Sequence, residues 1–386
     1  MAGRGRVAAT VLALLVVVAG CASPEYVAAG PWQPQVQGQP PAVDAPPSDP
    51  ALPRPDPNSP SPPAQPGAED PNVVASGLDT PWGLALLPDG SAIVGERRTG
   101  RILQVFPDRS PPGELMTIKG LDATGDGGLL GLALSPTFTE DGLVYAYATS
   151  RTDNRLLRFT LGGVPQAIVT GIPKGRTGNG GRIAFGPDQL LYVGTGDTGR
   201  PRLAADPASL AGKVLRFDIF GKPAPDSGPP NSPVLSRGHS DVTGLCFDGA
   251  DRLYVTETRQ PGGDELNLLV PGADYGWPNR PDAVPPAATY PDAGLGGCAI
   301  LNRLAFLGAV DGKRILITLL DGNGAAVGSP EDFLVNVYGR LRTVVADRTG
   351  ALWITTSNLD GNPTPAPTDD RVLRVPPPSD AGGSVS

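Results

Sequence analysis

Short apolar runs separated by clusters of Pro, Asp and Gly recur along this chain from Asn72 onward, and six of them share one pattern. Each is a short apolar strand, a tight turn and a second strand. They read PWGLALLPDGSAIVGE from Pro81, LLGLALSPTFTEDGLVYAYAT from Leu129, GGRIAFGPDQLLYVGTGD from Gly180, VTGLCFDGADRLYVTET from Val242, LNRLAFLGAVDGKRILITLL from Leu301 and LRTVVADRTGALWITTS from Leu341. Leu143, Tyr145 and Tyr147, like Leu253 and Val255, alternate along β-branched and aromatic runs, and PDG and DRTG supply the turn chemistry. Further strands are predicted in GRILQV at Gly100, NRLLRFTL at Asn154, GKVLRFDI at Gly212 and DRVLRV at Asp370. A unit then holds about four strands in about 50 residues, and six units predict an all-β, six-bladed β-propeller. NVVASGL from Asn72 stands alone before the first unit and is expected to complete the last sheet beside RVLRV, closing the ring. A pair of β-sandwiches is the competing all-β reading, but sandwiches do not produce six spaced copies.

Composition supports strands over helices: 39% of the residues are hydrophobic, 18% charged, and 52 are Gly and 46 Pro. A net charge of −8 excludes a nucleic-acid partner, because phosphate binding needs clustered Lys and Arg. Arg4 and Arg6 precede an apolar run from Val7 to Val18 that is too short to span a bilayer and ends in VAGC. Residues 1–20 are therefore read as a signal peptide, with Cys21 as the lipid acceptor of a lipobox-like site and an ordinary secretory signal as the alternative. Residues 21–71 form a Pro-rich linker, which in polyproline II would reach on the order of 150 Å. The propeller is placed at 72–376 and a disordered tail at 377–386. This organisation predicts a monomer anchored by lipid to the outer face of the cell membrane. Cys246 and Cys298 could pair in an oxidising compartment, but sequence leaves open whether their Cα atoms come close.

The succession GLDTPWGLALLPDG, GDGGLLGLALSP, NGGRIAFGPD, LYVGTGD, SLAGKVLRFD, RGHSDVTGL, GGDELNLLVPGADYGWP and GRLRTV resembles the glucose/sorbosone dehydrogenase family of soluble quinoproteins. It is similar in particular to the lipoprotein branch found in actinobacteria. The resemblance covers residues 72–376 and implies oxidation of an aldose or related alcohol with pyrroloquinoline quinone (PQQ) and calcium. In that scheme a histidine takes the hydroxyl proton, an aspartate orients it, and arginines and a lysine hold the quinone.

Matched residue by residue, the family loop His-Asn-Gly-Gly-Arg becomes Gly178-Asn179-Gly180-Gly181-Arg182, so the base position holds a residue with no side chain. The orienting aspartate matches Asp197. The family stretch Gly-His-Arg-Asn-Pro-Gln-Gly becomes Gly238-His239-Ser240-Asp241-Val242-Thr243-Gly244, placing Ser and Asp where an arginine and an amide would meet the cofactor. Arg340 and Arg342 match the arginine pair, share one strand face by their i, i+2 spacing, and with Arg182 and Asp241 form the implied cofactor contacts. The family's lysine falls near Leu320. Its carbonyl ligands to calcium fall at Arg259 and Gln260, while Asp264 and Glu265 either hold a structural calcium or hydrogen-bond a turn. His239 is expected to be structural, Trp82, Trp277 and Trp353 to pack in cores, and the glycines of TGDGGLLG to make a turn.

Two functions follow. One is a lipid-anchored binding protein on a dehydrogenase-type propeller, with an envelope sugar or glycan as ligand. The other is a dehydrogenase using PQQ or another cofactor, with Asp197 or Asp241 as substitute base.

Overall fold

The structure, a computed structural model, describes residues 70–378 apart from 226, 229, 260–262 and 362–363. The expected signal peptide, Cys21, nearly all of the linker and most of the tail lie outside the described residues.

Six four-stranded antiparallel sheets form six blades. Their first strands, Pro81–Leu86, Leu129–Leu134, Gly180–Phe185, Asp241–Phe247, Leu295–Leu301 and Leu341–Ala346, each contact the first strand of the next blade, and the sixth contacts the first, so they ring a central channel. Glycine permits the close approach. A Cβ on Gly131 would lie 2.3 Å from the Gly181 carbonyl oxygen, and one on Gly296 would lie 2.2 Å from that of Arg342. Val73–Ala75 pairs with Val372–Val375, with Val73 opposite Leu373, so the first strand of the described chain completes the last blade.

Each gap between neighbouring blades holds its own apolar cluster. Tyr145, Tyr147 and Leu156 of the second blade pack on Val193 and Leu215 of the third. Val144, Ala146 and Phe159, on the opposite face of the same second-blade sheet, pack on Ile93 and Ile102 of the first. Both faces of a blade are thus buried, which explains why the strands read as nearly continuous apolar runs. Trp353 is fully buried against Val94 and Val372, where the sixth blade meets the first.

The fifth unit departs from the expected register. Its motif from Leu301 supplies the second and third strands, Leu304–Ala309 and Arg314–Leu320, whereas the first strand is the preceding Leu295–Leu301. The missed turn is Asn302-Arg303, whose φ values of 47° and 68° make a tight hairpin without glycine or proline. Leu320 accordingly lies in the apolar cluster between the fourth and fifth blades, away from the channel mouth. Cys246 and Cys298 form a disulfide that joins the first strands of these two blades, with Cα atoms 5.7 Å apart.

Candidate functional site

The channel opens at one end into a cavity of about 500 Å³. Many of its residues come from two kinds of place. Gly178, Ser240 and Arg340 lie just before first strands, and Arg97, Asp197, Asp311 and Asp360 lie just after second strands. The topology alone therefore gathers loops from all around the ring at this end.

The loop that carries Gly178 is held by Asn179, whose amide bonds both the N–H and the carbonyl of Gly175. Gly178 adopts φ +65°, and a Cβ built on it would stand 2.9 Å from Asp197 Oδ1. A side chain at 178 would therefore press on Asp197, with the Thr198 nitrogen 3.2 Å from the same Cβ. Asp197 has other partners: Oδ1 accepts the Gly199 N–H at 2.7 Å and Oδ2 accepts the Trp277 indole N–H at 2.8 Å. Asp126 accepts the Gly178 N–H at 3.2 Å, and Asp241 Oδ1 accepts the Gly180 N–H at 2.7 Å. These three carboxylates make one wall of the cavity. Burial, followed by the field of Asp126 and Asp197, pushes the Asp241 carboxyl up to about 7.

Three arginines also line the cavity, each matched to an acid. Arg97 bonds the carbonyls of Gly125 and Gly127 and pairs with Asp360 at 3.2 Å. Arg340 pairs with Asp311 at 2.7 Å. Arg342 donates to Ser357 Oγ at 3.0 Å and stands 3.7 Å from Asp360.

Arg182 is outside this cavity. It crosses the channel beneath it, donating to the Thr243 carbonyl and to Thr343 Oγ1, both at 2.9 Å, with its guanidinium 4.2 Å from the Trp82 ring centroid. Burial, with Arg342 nearby, lowers its pKa to about 9. On its far side lies a second cavity of about 330 Å³ lined by Cys246 and Cys298. Arg182 braces four blades.

The remaining sequence candidates sort as follows. Asp264 accepts the N–H groups of Arg259 and Leu295 at 3.0 and 2.9 Å, and Glu265 pairs with Arg259 and accepts from Asn267. Their oxygens thus serve protein donors, and among the described residues no three His, Cys, Asp or Glu side chains converge as a metal cage. Gln260 lies outside the described residues. His239 is fully buried between Ser236 Oγ (2.8 Å) and Glu257 Oε1 (3.2 Å) and stacks on Tyr275. Trp82 and Trp277, read from sequence as packing residues, both line the cavity. Arg97, Asp126, Asp311 and Asp360 were not singled out from the sequence. The signal that marks three of them is a charged residue within four positions of a second strand's end, as at Asp197.

A six-bladed propeller with a polar cavity at the channel mouth, built from the loop at 178 and the acid at 197, defines a sugar dehydrogenase-like quinoprotein architecture. The glucose/sorbosone dehydrogenase profile matches residues 78–290, and the chain belongs to that family. The aldose sugar dehydrogenase of Streptomyces coelicolor, solved in its PQQ-bound form, is 41% identical, with 79% of this chain and 96% of that one covered and a TM-score of 0.76. Quinoprotein glucose dehydrogenase B of Acinetobacter calcoaceticus is 31% identical over 251 residues, 54% of this chain. The match spans 52% of that enzyme, about half its length. An aldose sugar dehydrogenase of Escherichia coli K12 is 25% identical over 77% of this chain and 92% of its own.

Proposed function

We propose that this chain is a lipid-anchored, monomeric sugar-binding propeller of the cell envelope that does not take a proton from its ligand by the family's histidine route. One observation carries the reading: the base position is Gly178, and both oxygens of the acid that would orient a histidine there are held by Gly199 and Trp277. Asp197 is part of the cavity's scaffold. The anchor rests on Cys21 in VAGC and on the Pro-rich linker that follows it.

The donor set fits PQQ poorly. Three arginines line the cavity against five aspartates, two of which already pair with those arginines. A quinone bearing several carboxylates would face a cavity of net negative charge, with Ser240 and Asp241 where cationic and amide donors are needed. Calcium has no open carboxylate at Asp264, whose two oxygens cap backbone N–H groups.

A second reading is favoured by Asp241. A cavity carboxyl with a pKa of about 7 has the proton affinity of a general base, as an altered dehydrogenase would need. Adding PQQ and calcium to the purified full chain separates the two. The binding reading expects no dye reduction across an aldose panel, together with calorimetric binding of aldoses or envelope oligosaccharides. Quinone-dependent oxidation that rises through pH 7 and disappears in Asp241→Asn would overturn it and establish the second.

A further inference from the structure

The acids of the cavity are not equivalent. Arg97, Arg340 and Arg342 each stand within ion-pair distance of Asp311 or Asp360. Asp126, Asp197 and Asp241 flank the loop at Gly178 and line the cavity, and among the described residues none of the three makes an ion pair. They are not drawn together tightly enough for a metal ion. A second feature points to a ligand at the same wall. Ser240 is only 7% exposed, lines the cavity, and gives its backbone N–H to Glu257, while its hydroxyl has no hydrogen-bond partner among the described residues. A hydroxyl turned into the cavity without a protein partner, beside carboxylates that accept N–H groups but face no cation in an ion pair, is free to accept from a ligand donor.

We infer that the acidic wall at Gly178 recognises a protonated amine, so that the ligand class is an amino sugar rather than a neutral aldose. This rests on the sugar-binding reading above and specifies it. An ammonium has three N–H donors, which suit carboxylates spread around a space, whereas a metal ion needs them converged at a single point. About 500 Å³ holds a mono- or disaccharide. Trp82 and Trp277 offer apolar faces to its ring.

The inference predicts a pH dependence with a definite sign. The charged groups facing Asp241 are Asp126, Asp197 and Arg342, and its carboxyl is neutral below about pH 7 and ionised above. Tyr147, buried behind it, donates to the Asn179 carbonyl. An amine ligand therefore gains as pH rises through 7, and its binding near that pH releases a proton from Asp241.

The test is calorimetry on the full chain with 6-amino-6-deoxyglucose, whose alkylamine stays protonated at pH 8 as a lysine does, against glucose and the neutral 6-acetamido sugar. The expected result is at least tenfold tighter binding of the amine at pH 8, a preference that shrinks severalfold at pH 5.5, and proton release seen by repeating pH 7 in buffers of different ionisation enthalpy. In Asp241→Asn the ratio of amine to glucose affinity should fall toward its wild-type value at pH 5.5. The wild-type pH series tests the same point should that variant fold poorly. Equal binding of amine and glucose overturns the inference and leaves the sugar reading standing. Binding of none of the three sugars overturns both. Calcium alone displacing the amine would also overturn it.

Discussion

Reducing or removing the Cys246–Cys298 bond should cost this propeller a definite amount of stability. The bond closes a loop with a sequence separation of 52 between the first strands of the fourth and fifth blades. Loop-closure entropy for that length removes about 4 kcal/mol from the stability of the folded state when the crosslink is lost. An ordered core of about 300 residues carries an unfolding entropy of roughly 0.6 kcal/mol per kelvin, so the melting temperature should fall by about 6 °C. The assay is differential scanning calorimetry of Cys246→Ala/Cys298→Ala and of wild type with and without a phosphine reductant. The reduced wild type should melt close to the double variant, and reductant should leave the double variant unmoved. A drop below about 1 °C in the variant would refute the reasoning, because the two strands would then be held equally well by their packing.

Other outcomes follow from the site and the N-terminus. Asp241→Asn should raise stability by about 4 kcal/mol at pH 8 and by less than half of that at pH 5, read from urea unfolding at the two values. The sign is set by a folded-state pKa lifted to about 7 from 3.8, so that the folded state holds the extra proton and loses stability as pH rises between those values. Gly178→His combined with Ser240→Arg and Asp241→Asn should create measurable PQQ binding, read from cofactor absorbance after gel filtration. The left-handed backbone at 178 should cost the triple variant about 1–2 kcal/mol, and unchanged cofactor binding would count against the family alignment. Cys21→Ala should leave an uncleaved precursor without lipid, and processing at the same bond in membrane fractions would refute the lipobox.

The repeat was legible because blade strands and their turns use strong local chemistry, as in PDG after Leu87 and DRTG after Ala346. It slipped by one strand where Asn302 and Arg303 turn the chain with positive φ but without glycine, while DGK further on imitates the expected turn. The family motifs led to Gly178, Asp197, Asp241, Arg340 and Arg342, all of which reach the cavity. Arg182 belonged to the same motif, yet it reaches across the channel to other blades beneath the cavity, a direction that sequence spacing on a first strand does not specify. The acids that neutralise the arginines, Asp311 and Asp360, sit on connections of unequal length. Their pairing is a property of the closed ring, not of any one blade.

The joint between Val73–Ala75 and Val372–Val375 has a consequence for biogenesis. The ring cannot shut until nearly its whole length has been made, and until then the earliest strand waits without its neighbour. A premature stop a few codons before Val372 would remove little mass but leave two open sheet edges and expose the cluster of Val74, Leu84 and Trp353. Such a product is expected to aggregate or be degraded rather than persist as a slightly shortened propeller, so late truncations should be as damaging as early ones.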